Sequence, residues 1–205
     1  MPKPRSNDPL ASTAPPTPLA VTGRPEADAL LDRDPLALVL GMLLDQQVPM
    51  EWAFLAPFTL EQRLGHLDVA RIVADGPEAL TATFCAKPAL HRYPAVMATR
   101  AYALCQHLLE EYGGQAAAVW QGADTGDELY RRVRALPGFG DEKTKIFLAV
   151  LAKRRGVAPP GWEQRALPFS DSTPRSVADI DGPEARQRVR AWKKQQKAAG
   201  KGKQD

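Results

Sequence analysis

Within five residues, Leu136-Pro137-Gly138-Phe139-Gly140, the chain places one residue that stops a helix and two that tolerate conformations closed to other residues. Pro137 lacks an N–H and clashes with the preceding turn of a helix. Gly138 and Gly140 accept positive φ and leave no Cβ between the backbone and a neighbour. From Asp141 onward, Ile146, Phe147, Val150 and Leu151 recur with the spacing of an apolar helix stripe. Upstream, Gly126-Asp127-Glu128 after Thr125 opens another helix, running to about Ala135. The stretch therefore reads as helix, tight turn, helix. The amides of Gly138, Gly140 and the first turn of the second helix have no partner within that helix, and the helix dipole is positive there, which suits an anion. Lys143 and Lys145 add cationic side chains. A ligand-free connection between two packed helices accounts for the same residues.

A second stretch has the same abruptness. Asp34-Pro35 supplies an N-cap and a first-turn proline. The helix that follows, residues 36–44, is apolar nearly all round and belongs in the middle of a core. It runs straight into Asp45-Gln46-Gln47-Val48-Pro49. A Gln amide both donates and accepts, so it can bond to a base edge. It can equally cap the next helix.

The rest of the chain is helical in pattern. Short helices are expected over residues 26–31 and 50–58, with a further turn from Thr59 after Pro57. Residues 68–73 and 77–84 form two pieces separated by Asp75-Gly76-Pro77, and residues 95–112 form the longest helix. Alternating β-branched runs are missing, so the expected class is all-α, a bundle of about eight to ten helices. Residues 1–20, rich in Pro, Ser and Thr, are expected to be a disordered tail. Residues 21–168 make the helical domain, with residues 156–168 an extended segment pinned by Trp162. Residues 169–205 are expected to be loop followed by a basic helix from Pro183, anchored by Trp192.

Composition narrows the function classes. No apolar run approaches the ~20 residues that cross a bilayer, and the first residues lack a signal-peptide apolar core. The expectation is a cytoplasmic protein that does not enter a membrane. Cys85 and Cys105 sit among apolar neighbours and read as buried free thiols. His66, His91 and His107 show no ligand spacing, so no metal is expected, and His91-Arg92 reads as a surface loop. Positive charge is concentrated at one end: residues 186–205 carry eight Lys or Arg and one acid. A basic segment of this kind fits contact with a polyanion, or a solvated helix end.

The turn and the Gln pair together resemble the helix-hairpin-helix (HhH-GPD) base-excision DNA glycosylase superfamily, of the endonuclease III and AlkA type. Leu136-Pro137-Gly138-Phe139-Gly140 is similar to that family's Leu-Pro-Gly-Val-Gly hairpin, and Gly41-Met-Leu-Leu-Asp-Gln-Gln-Val-Pro49 to its Leu-Ser-Gln-Gln-Thr helix end. The resemblance covers roughly residues 25–165 and implies a helix-hairpin-helix glycosylase-like fold on double-stranded DNA. It implies that the hairpin at Leu136, Gly138, Phe139 and Gly140, with Lys143 and Lys145, grips a phosphate. It implies that Gln47, with Gln46 beside it, fills the space left by an extruded base. Arg100 corresponds to a basic position of relatives. Two cysteines cannot hold the four-thiolate iron–sulfur cluster of some relatives, so neither cluster nor other cofactor is expected, and the protein is expected to act as a monomer.

The catalytic positions depart from the pattern. Glu142 stands where bifunctional relatives carry a Lys nucleophile, and Pro160 where the family carries its Asp. Cleavage of a base–sugar bond passes through positive charge on the sugar, which a carboxylate stabilises. Glu163, just beyond Pro160, is the first candidate, Asp45 the second and Asp171 the third. The expectation is a monofunctional glycosylase without Lys-dependent lyase chemistry. A DNA-binding protein that has lost its catalytic acid, and a helical interaction protein without a DNA role, are the alternatives.

Overall fold

The computed structural model describes residues 17–202 and 204. Among the described residues the chain forms nine α-helices and two single-turn 3₁₀ helices, with no strand. The helices are α1 (Pro25–Arg33), α2 (Pro35–Leu44), α3 (Met50–Leu64), α4 (Val69–Cys85), α5 (Pro94–Tyr112), α6 (Gly126–Arg134), α7 (Asp141–Arg155), α8 (Trp162–Ala166) and α9 (Pro183–Ala198). The protein is an all-α bundle, as the apolar periodicity requires.

Two helices run through the middle. In α2, the Asp34 carboxylate accepts the Ala37 N–H at 2.9 Å and Pro35 occupies the first turn. Every residue from Leu36 to Leu44 is buried, against α1, α3 and α5. The helix can approach α3 closely because position 41 is glycine: a Cβ there would lie 2.6 Å from Phe54 Cδ1. In α7, Thr144, Ile146 to Leu151 and Arg154 are buried. Phe147 is met edge-on by Phe139 at 5.7 Å and Trp120 at 5.9 Å between ring centroids.

Several local expectations change. Pro57 does not end a helix: α3 continues through it, because Phe54, Ala56, Pro57 and Leu60 are all buried and packing outweighs the lost N–H. Helix α4 is two pieces meeting at Gly76, whose φ of 88° and ψ of 166° break the helical path, in agreement with the breaker read there. Cys105 is buried, but Cys85, at the end of α4, is exposed. Trp162 packs against the core, which is the pinning role, although the segment around it is a short helix rather than extended chain.

The start of the described chain and the strap after α8 are both tied to α7, the first through Arg154 and Thr17. Of the expected N-terminal tail, residues 1–16 lie outside the described residues. Residues 17–20 do not behave as a tail, since Leu19 is buried and the Ala20 amide donates to the Ile180 carbonyl. The stretch after α8 is a packed strap, with Phe169, Val177 and Ile180 buried. Lys153 Nζ donates to the Asp171 carbonyl and to Asp179 Oδ1, each at 2.7 Å. Asp171, the third carboxylate candidate, is paired with Arg175 at 3.0 Å. In α9, Ala185 and Val189 are buried, while Trp192 lies under the Arg175 guanidinium at 5.3 Å. Lys203 and Asp205 of the basic end lie outside the described residues. Among the described residues no helix is long and apolar enough to cross a membrane.

Candidate functional site

The turn between α6 and α7 closes on itself. The Phe139 amide donates to the Leu136 carbonyl at 3.1 Å, and Arg134 Nη1 donates to the Phe139 carbonyl at 2.9 Å. The Leu136 and Phe139 side chains are buried, so they hold the turn to the core rather than project from it. Gly138 has φ +85°. Among the described residues, the amides of Gly138, Gly140 and Asp141 have no hydrogen-bond acceptor, and Gly140 offers no side-chain cap. Three donors thus stand together at a helix N-terminus, the arrangement that binds anions. The Phe139 amide is not among them. Asp141 faces the same end, and is engaged by the Tyr130 hydroxyl at 2.6 Å and Lys145 at 2.9 Å. These partners, the hydroxyl first, hold its carboxyl below the ordinary range against the opposing effect of burial. Lys145 is therefore spent on its own helix.

The end of α2 lies against this turn. A Cβ on Gly138 would fall 2.4 Å from Leu43 Cδ1. Lys143 turns inward, and its Nζ donates to the Leu43 carbonyl at 2.6 Å. An ammonium there satisfies one of the orphan carbonyls at a helix C-terminus and complements its negative dipole end. The chain then leaves α2 through Asp45, half-buried, and Gln47, exposed and at φ +55°. Gln47 is the one non-glycine residue at positive φ among the described residues. Neither Gln caps α3, whose N-cap is Pro49 without a side-chain bond.

Gln46 is held from both sides. Its side-chain oxygen accepts from Arg100, and its carbonyl meets His91 Nε2 at 3.0 Å. His91 is not on the surface. It is 1% exposed, because its ring fits under the Gln46 backbone and beside Trp52 and Tyr93, with centroids 6.3 and 6.2 Å away. The Tyr93 amide donates to His91 Nδ1 at 3.0 Å. Nδ1 is thus an acceptor and Nε2 carries the hydrogen. Burial holds the imidazole below its ordinary pKa, with the Lys143 and Arg100 charges acting in the same sense and the Gln46 and Leu44 carbonyls opposing. Trp52 and Tyr93 remain 39% and 42% exposed, and Arg92 stacks on Tyr93 at 5.3 Å.

On the other side of Gln47 a cleft of about 440 Å³ opens between the start of α3 and α9. Asp45, Gln47, Met50 and Glu51 line one wall, Arg190 and Lys193 the other. Arg190 Nη2 lies 2.8 Å from Glu51 Oε1, and Lys193 Nζ lies 3.6 Å from Met50 Sδ.

Of the residues read from sequence, the fold brings together Leu136, Gly138, Gly140, Lys143, Asp45, Gln46, Gln47 and Arg100. Glu163 is not in the Gln47 cleft. It is exposed on α8, and its side chain makes no hydrogen bond or ion pair among the described residues. The chain just before α8 is held at the far end of α6 from the turn, through the Gly126 amide and the Pro160 carbonyl at 2.8 Å. Asp45 is the candidate carboxylate that shares a cleft with Gln47. Glu51 and Arg190 were missed, since nothing in sequence joins positions so far apart. His91 was misplaced because His-Arg-Tyr-Pro has loop composition and gives no sign of the backbone it covers. Among the described residues no group of three or more His, Cys, Asp or Glu is arranged to hold a metal ion.

No family model matches the chain, and no curated protein and no solved structure matches it significantly.

Proposed function

We propose that this chain is a monofunctional DNA glycosylase of the helix-hairpin-helix type, which removes a damaged or mispaired base from double-stranded DNA. The observation that carries the reading is the contact between the two motifs. Gly138 packs on Leu43, and Lys143 bonds to the Leu43 carbonyl, so the turn with its unpaired amides is fastened to the end of α2 that leads into the Gln47 segment. A phosphate-gripping element beside a polar residue in a strained backbone state is what base extrusion calls for. The enzyme must hold the backbone while something fills the stack, because the target atoms are unreachable inside a duplex. Asp45 is the carboxylate best placed to act on the sugar. Glu142, in the position of the family's Lys nucleophile, supports base release without lyase chemistry. A cytoplasmic monomer without cofactor is part of the same proposal.

The second reading is a DNA-binding protein without excision. It is favoured by one observation: Pro160 occupies the family's Asp position and the nearby Glu163 lies outside the Gln47 cleft. A panel of duplexes carrying uracil, hypoxanthine, oxidised or alkylated bases separates the two. Release of a base, leaving alkali-labile sites, supports the glycosylase. Salt-sensitive binding without any abasic product supports the second reading, and absence of salt-sensitive binding overturns both.

A further inference from the structure

We infer that the cleft between the start of α3 and α9 is the receptor for an uncharged nucleobase, with Glu51 as its hydrogen-bond acceptor and α9 as its second wall. That the base arrives extruded from DNA rests on the proposed function. That the cleft binds a neutral heterocycle rests on the cleft alone.

Its size, about 440 Å³, is in the range of small-molecule sites. Its charged lining is balanced: Asp45 and Glu51 are matched by Arg190 and Lys193. A phosphate in this space would sit against two carboxylates. A cationic, alkylated base would sit against an arginine and a lysine, with no aromatic ring in the lining to stabilise it by cation–π contact. A neutral ring that carries both donors and acceptors meets neither penalty. Met50, Val48 and Pro49 supply apolar surface for its face, and Gln47 supplies an amide that both donates and accepts.

Glu51 is the group that asks for a ligand. Its Oε1 is buried without an aligned hydrogen-bond donor, although Arg190 lies 2.8 Å away as its ion partner. Its Oε2 makes no hydrogen bond among the described residues. The arginine takes up Oε1, so the acceptor left for a ring or exocyclic N–H of a base is Oε2. The ion pair with Arg190 fixes where the Glu51 carboxylate lies in the cleft wall, so Arg190 is a positioning residue.

The test uses the full-length chain with methyl-labelled methionine, titrated separately with uracil, inorganic phosphate and 7-methylguanosine at mildly acidic pH, where that nucleoside is cationic. Uracil is expected to move the Met50 methyl resonance saturably, and the other two are not. Glu51→Gln is expected to weaken the uracil response about tenfold, as loss of a charged hydrogen-bond partner does. Arg190→Gln, on the exposed face of α9, is the second variant: it should weaken uracil binding because Glu51 loses the partner that fixes its carboxylate, and Arg190→Lys, which keeps a cation there, should restore part of that binding. A Met50 response to phosphate or 7-methylguanosine but not to uracil overturns the proposal. So does a Glu51→Gln variant, folded by circular dichroism, that binds uracil as the wild type does. The excision panel is read separately. Uracil binding at Met50 without excision of any base upholds the cleft and removes the glycosylase; excision without a Met50 response does the reverse.

Discussion

Lys143 Nζ reaches back across 100 residues of sequence to the carbonyl of Leu43, at 2.6 Å. This contact joins the first turn of α7 to the last turn of α2, and with it the anion-ready turn to the Gln47 segment. The side chain that sequence would assign to a phosphate is instead a fastener between the two motifs. Replacing it leaves a partly buried carbonyl without its donor, a loss of about 1–3 kcal/mol. Lys143→Met is therefore expected to lower the free energy of unfolding by that amount, read as a lower urea midpoint with an unchanged slope. It should also weaken duplex binding more than one surface charge accounts for, because the two motifs are no longer locked together. Paired urea melts and binding isotherms over a salt series check both; a variant as stable as the wild type would show that the contact does nothing.

The two glycines of the turn should separate folding from binding. Gly138 needs its φ of +85° and has Leu43 Cδ1 2.4 Å from where a Cβ would sit. Gly138→Ala is expected to cost about 2 kcal/mol or more, combining left-handed strain with overpacking. Gly140 has φ −77° and open space around the same atom. Gly140→Ala should fold within about 0.5 kcal/mol of wild type, yet bind duplex DNA at least several-fold more weakly if its amide lies against a phosphate. Equal binding by Gly140→Ala and wild type would argue that no backbone ligand approaches this turn.

These contrasts show what the sequence held and what it did not. The all-α class and the order of the helices follow from periodicity and from Pro and Gly punctuation, and both are local. The turn and the Gln pair were visible for the same reason. Lys143 was misassigned and Glu51 missed because their meaning depends on Leu43 and Arg190, which are far off in sequence. Distance along the chain points to Glu163, whereas access to the cleft depends on how α8 docks on α6 and α7. His91 shows the limit most clearly: polar loop composition suggested exposure, while its burial is set by the Gln46 backbone.

His91 makes stability depend on pH. Its Nδ1 accepts the Tyr93 amide and its Nε2 faces the Gln46 carbonyl, so a second ring proton would set N–H against N–H in a buried site. The folded pKa lies below the ordinary value of 6.5. Between the two values the unfolded chain binds more protons, so stability is full above about pH 6.5 and declines as pH falls below it. His91→Phe should lose stability at neutral pH, with the His91 hydrogen bonds gone, and should flatten this decline. Urea midpoints collected across the weakly acidic range for both proteins test the slope; parallel curves would remove His91 as its source.

The two thiols should differ sharply in reactivity. Burial pushes the Cys105 thiol up to about 12, whereas Cys85 is exposed at the end of α4. Because the thiolate is the reacting species, iodoacetamide on the native protein should label Cys85 alone. Cys105 should react only at the rate of unfolding or after denaturation. Peptide mapping of a time course reads the two sites independently, and rapid native labelling of Cys105 would mean that α5 opens readily in the native protein.

Gln47 offers the strongest test of the site itself. A side chain held at φ +55° on an exposed residue is strained, and such strain persists where surrounding structure or function demands it. Glycine relieves the strain but adds freedom to the unfolded chain, so Gln47→Gly should be as stable as wild type or more stable by up to about 1 kcal/mol. If Gln47 fills the space of an extruded base, the same variant must lose excision and must bind an abasic duplex several-fold more weakly. Gln47→Ala keeps the strain and also lacks the amide, so it should lose binding without any gain in stability. Greater stability with lower activity at one residue is the signature of a functional position. If Gln47→Gly were more stable and bound and excised normally, the strained backbone would have no part in recognising DNA, and the Gln46-Gln47 motif would be left to its bonds with Arg100 and His91.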